Sequence, residues 1–176
     1  MSRSGYHDDF EDPLELGRWR AQVRSATRGK RGQALLKEAL AALDAMPEKR
    51  LVPYELEVSS TADAKHAEAW AKIWGNDVSV PEYVERIVKR PKGAREGDVC
   101  MLGAVGKARG LNMVDLDPED HEAIANTFDV AGPLAREIVY MNDECGPYNE
   151  TPEQRWTRMR AWVASQIVAT ATETAK

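Results

Sequence analysis

From Arg28 to Gln33 the chain reads RGKRGQ, with two glycines bracketing Lys30 and Arg31. Glycines let a backbone approach a ligand closely, and the amides and dipole of a following helix N-terminus suit a phosphate. Arg18, Arg20, Arg24 and Arg28 extend the positive charge upstream. Arg24, Arg28, Gly29, Lys30, Arg31, Gly32 and Gln33 are therefore the first candidate surface. It suits nucleic-acid backbone, where bound cations release counterions, or the acidic face of a protein. A plainer reading uses the glycines only to end one helix and restart another, leaving the cations solvated.

Other chemistry-bearing stretches fail at particular positions. GAVGKARG, Gly103 to Gly110, contains a Gly-Lys pair, but Met101 stands where a phosphate-binding loop needs its first glycine and Ala108 where it needs a hydroxyl. Close packing by small residues, with Gly110 ending a short helix, explains it better. DLDPEDHE, Asp115 to Glu122, gathers five carboxylates and His121, yet Asp120 and Asn126 occupy the glycine and glutamate positions of a calcium loop. Helix capping accounts for it. HDDFED, His7 to Asp12, reads as a solvated acidic arm rather than a metal site, and His7, His66 and His121 fall in no metal-binding pattern. Cys100 and Cys145 form no CxxC pair and are expected to be buried small hydrophobes. No metal, cofactor or catalytic residue is expected, and the chain is not expected to be an enzyme.

YMNDECGPYNETP, Tyr140 to Pro152, places Asn142, Asp143 and Glu144 at a helix C-terminus, where the dipole disfavours carboxylates. Arg155, Arg158 and Arg160 of the next helix are expected to fold back on them as a structural clasp. Trp156 belongs to a core stripe, so Trp70, Trp74 and Tyr83 are the better aromatic candidates for a partner surface.

The elements that must position these residues are mostly helical. Pro13 opens a helix carrying Leu14, Leu16, Trp19 and Val23 to about Thr27; a second starts after Gly32 and runs to Pro47. Asp117 reads as an N-cap with proline at the first helical position, Pro133 opens another helix, and TPEQ, Thr151 to Gln154, is a capping box. YELEV, Tyr54 to Val58, and DVCML, Asp98 to Leu102, read as two short strands of an antiparallel hairpin, with residues 59–97 as a helical pair inserted at its tip. The expectation is a mainly α single domain, residues 1–176, with one β-hairpin. The net charge of -5 hides a basic block over residues 18–50 and an acidic stretch over 51–150, which favours distinct partners for distinct faces. With no secretory or membrane-spanning run, a cytoplasmic protein is expected; its oligomeric state, a homodimer included, stays open.

Two resemblances follow from these residues. The helix-GxxG-helix pattern of RGKRGQ resembles the loop with which KH domains clamp nucleic acid, although the flanks lack that fold's three strands. More broadly, MSRSGYHDD, RGKRGQALLKEALAALDAMPEKRL, ELEV, VCMLGAVGKARGLNMVDLDPEDHEAIANTFDVA and MNDECGPYNETPEQRWTRMRAWVASQI resemble a family of small proteins encoded by bacteriophages and prophages. The likeness covers most of the chain outside 59–97. In that family ELEV runs through a short Asp-Gly-type turn directly into the VC segment, which implies that 59–97 is an insertion in this chain. The likeness also implies a phage accessory protein that binds a host or defence-system protein, while carrying no catalytic residue with it.

Overall fold

The computed structural model describes residues 13–59, 93–114 and 116–169. Among them are six helices: α1 (Pro13–Arg28), α2 (Lys30–Ala45), α3 (Met101–Arg109), α4 (His121–Phe128), α5 (Gly132–Asp143) and α6 (Pro152–Gln166). The fold is mainly α.

Local chemistry sets most of the boundaries. Thr151 caps α6 reciprocally: its Oγ1 accepts from Gln154 N at 3.3 Å, and its own N donates to Gln154 Oε1 at 2.9 Å. Cys100 caps α3 through Sγ, which accepts from Gly103 N, and Gly110 ends the helix in the left-handed region at φ 68°. α5 opens with Pro133 in its first turn. α4 starts later than expected, because Asp120 and not Asp117 is its cap. Asp117 instead closes a turn, accepting from Glu119 N on its side chain and from Asp120 N on its carbonyl.

The expected hairpin shrinks to a single antiparallel bridge, Glu57 with Val99. Val58 N donates to Asp98 O and Gly97 N to Val58 O, each at 2.8 Å, and Cys100 N donates to Leu56 O at 3.3 Å. Pairing stops there for local reasons. Tyr54 sits at φ 64°, off the extended path, and Met101 and Leu102 are already the first turn of α3. The predicted helical pair, with Trp70, Trp74 and Tyr83, lies outside the described residues.

α2 is the centre, packed on α3 and α6; α1 lies on α2 and α5, and α4 on α5. Leu35, Leu36 and Leu43 of α2 meet Phe128, Leu134, Ile138, Met159 and Val163 in a shared core, all buried. Full burial of such side chains contributes roughly 1.5–3 kcal/mol each, which outweighs the weak intrinsic propensity of short helices. Glycines permit the tightest approaches. A Cβ on Gly103 would lie 1.7 Å from Leu56 O, so the bridge and α3 meet backbone to backbone there. Leu14 departs from the predicted apolar face of α1 and is exposed.

Candidate docking surface

The structure separates the residues that the RGKRGQ reading grouped together. There is no four-residue loop: Gly29 alone links α1 to α2, and α2 begins at Lys30. Gly32 is inside α2 and buried, and a Cβ there would stand 2.1 Å from Ala26 O and 3.0 Å from Leu134 Cδ2. Its glycine serves helix contact, not loop freedom, which corrects the expectation that α2 starts after it. Gln33 is a structural tie: Nε2 donates to Thr27 O at 2.8 Å and Gln166 O at 3.0 Å, and Oε1 accepts from Val168 N at 2.8 Å. Arg31 pairs with Asp129 at 3.0 Å on the surface. Lys30 is exposed, and Arg24 and Arg28 belong to a different feature.

That feature is a groove of about 360 Å³ between α1 and the end of α6. Arg20, Arg24 and Arg28 line it from α1, together with Trp19 and Val23, while Ile167 and Val168 supply an apolar wall. The three arginines recur at four-residue spacing, so they stand one above another along the helix, roughly 6 Å apart. They are exposed, and among the described residues their side chains make no ion pair or hydrogen bond. Trp19, Val23 and Thr27 form the neighbouring row, one residue earlier in each turn. Trp19 is only 6% exposed, and its indole Nε1 is buried without a hydrogen-bond partner. An unsatisfied buried N–H costs roughly 1–3 kcal/mol. The repeat WR, VR, TR over Trp19 to Arg28 is the sequence signal for this surface, visible once the helix is wound.

The arginines of α6 are differently employed. Arg158 Nε and Nη2 grip Glu150 Oε1 and Oε2 at 2.6 and 2.8 Å, and its Nη1 donates to Met141 O. Arg155 Nη1 donates to Asn142 O, and Nη2 lies 3.3 Å from Glu150. The clasp therefore exists, but its carboxylate is Glu150 of the connecting loop. The guanidinium groups otherwise satisfy the orphan carbonyls ending α5. Arg160 departs from the expected set and pairs with Asp44 of α2. Asp143 keeps the unfavourable place at the end of α5: burial pushes its carboxyl up to about 6, against hydrogen bonds from Asn142 and the Tyr54 backbone and the charge of Arg155. Glu150 goes the other way. Burial would raise its carboxyl, but the Arg158 hydrogen bonds and charge hold it below the usual range.

Arg50 is a junction that the sequence did not mark. Buried among distant segments, it donates to Gly93 O at 2.7 Å, pairs with Asp98 at 3.3 Å and also meets Glu153. The glycine-rich helix α3 is buried along its first two turns, as close packing predicted. Cys100 is buried as expected, with its thiol pushed up by that burial to about 12, whereas Cys145 is exposed. Burial and Arg136 lower the His121 imidazole. Among the described residues no group of three or more His, Cys, Asp or Glu side chains is placed to hold a metal ion. The HDDFED segment and Asp115 lie outside those residues.

Fold and surface together define a mainly α chain that presents a basic, apolar-walled groove. No family model, curated protein or solved structure matches it. Among the described residues no helix is long and apolar enough to cross a membrane.

Proposed function

We propose that this chain is a non-catalytic accessory protein encoded by a phage, which works in the bacterial cytoplasm by binding a host or defence-system protein through the α1 face and its groove. The observation that carries the binding reading is the row Arg20, Arg24 and Arg28, unpaired within the described chain beside an apolar groove. Charges held without an intramolecular partner are free to meet one on another molecule. The phage setting rests on the sequence resemblance alone. A second reading, nucleic-acid backbone binding, draws on the same arginines with Lys30, since a row of exposed cations also suits phosphates.

A pull-down from host lysate, with and without nuclease, tests the choice. A protein partner is expected to persist after nuclease and to be lost with Arg24→Glu plus Arg28→Glu. Recovery of nucleic acid alone, all of it removed by nuclease, overturns the protein reading. Replacing 59–97 by a short Asp-Gly link asks separately whether Trp70, Trp74 and Tyr83 contribute, and loss of the partner there moves the surface to the insertion.

A further inference from the structure

Resting on that docking reading, we infer that the groove receives an amphipathic helix of the partner, one that carries acidic side chains at four-residue spacing beside an apolar row. α1 presents two parallel rows to the groove, one cationic (Arg20, Arg24, Arg28) and one mainly apolar and deeper (Trp19, Val23, Thr27), offset by one residue in each turn. A second α-helix repeats with the same rise and can present matching acidic and apolar rows to one surface at once. An extended peptide cannot, because its successive side chains leave on opposite faces. Helices packed at shallow crossing angles keep such rows in register over several turns.

Other occupants fit less of the surface. Single-stranded nucleic acid would meet the arginines, but it gains affinity by stacking bases on exposed aromatic faces, and Trp19 is buried. A second copy of this chain docking groove to groove would set arginine against arginine, which like-charge repulsion disfavours. Glu137 also lines the groove, but it is buried and already engaged.

The test uses the full chain and a labelled synthetic helical peptide bearing three glutamates at four-residue spacing next to a leucine row, read by fluorescence anisotropy. The expected result is saturable binding that weakens about tenfold or more when the glutamates become glutamines. A similar loss is expected with Arg24→Glu plus Arg28→Glu, with recovery when that variant meets a lysine version of the peptide. Equal binding of the glutamate and glutamine peptides, or of a scrambled peptide of the same composition, overturns the inference. So does the absence of binding. If the peptide fails while a lysate protein is still lost with Arg24→Glu plus Arg28→Glu, the helical partner is wrong and the docking reading stands. If a single-stranded oligonucleotide binds and the peptide does not, both fall.

Discussion

In α6, Arg155, Arg158 and Arg160 close on Glu150, on the carbonyls that end α5 and on Asp44, while in α1 Arg20, Arg24 and Arg28 close on nothing among the described residues. Both helices carry arginines within about two turns, and composition does not tell them apart. Surroundings do. α6 faces the C-terminal end of another helix, where guanidinium groups satisfy the Met141 and Asn142 carbonyls. α1 faces a groove whose far wall carries the apolar side chains of Ile167 and Val168, and whose one carboxylate, Glu137, is buried and engaged elsewhere. An arginine consumed by the fold should report in stability, and one left over should report in binding.

The sharpest way to break that contrast is Glu150→Ala. Glu150 is 3% exposed and Arg155 8%, so removing the carboxylate leaves buried positive charge uncompensated. A loss of about 3–5 kcal/mol in chemical denaturation is expected. A change as small as that of a surface pair would show the clasp to be incidental. Gly32→Ala comes next, with an expected loss of about 2–3 kcal/mol from overpacking between α1 and α2, read as a lower denaturation midpoint. If it were neutral, Gly32 would again be available to a loop reading.

Asp143 sharpens the picture through pH. Its folded-state carboxyl, at about 6, lies above the unfolded 3.8, so the folded chain binds more protons in that window. Its contribution to stability therefore falls as pH rises from about 4 to 6 and stays low above that. Asp143→Asn should flatten that slope and stabilise the protein at pH 7 by about 1 kcal/mol, measured by thermal unfolding across pH. Glu150 has the opposite sign, since its lowered carboxyl adds stability that is lost on acidification. Smallest of all, Arg20→Gln plus Arg24→Gln, which leave the C-terminal turn of α1 untouched, should change the unfolding free energy by less than about 0.5 kcal/mol. A large destabilisation would return these arginines to the fold.

What the sequence made legible was local. The capping box at Thr151, the start at Pro133 and the stop at Gly110 are written in neighbouring residues, and they appear in place. The reading of Gly32 erred because glycine punctuates chains and also permits close packing, and only the position of Ala26 O decides between the two. The strand at Asp98 to Leu102 erred because an apolar run does not announce that Cys100 will cap a helix. Arg50 was invisible because its partners, Gly93, Asp98 and Glu153, come from separate stretches. Of the groove, the arginine row could be read from α1 alone, but its far wall comes from the end of α6. For the clasp, local charge pointed to Arg155 and Arg158 but wrongly included Arg160, and the loop carboxylate Glu150 that meets the first two was hidden by the turn-rich link.

Val58, bonded to both Gly97 and Asp98, and Arg50, bonded to Gly93 O, hold the shoulders of residues 60–92 at one spot on the core. Chain ends held this way tolerate changes of length between them. Each doubling of a closed loop costs only about 0.6 kcal/mol. Both ends of that span are tied to the core by bonds that do not depend on the residues between them.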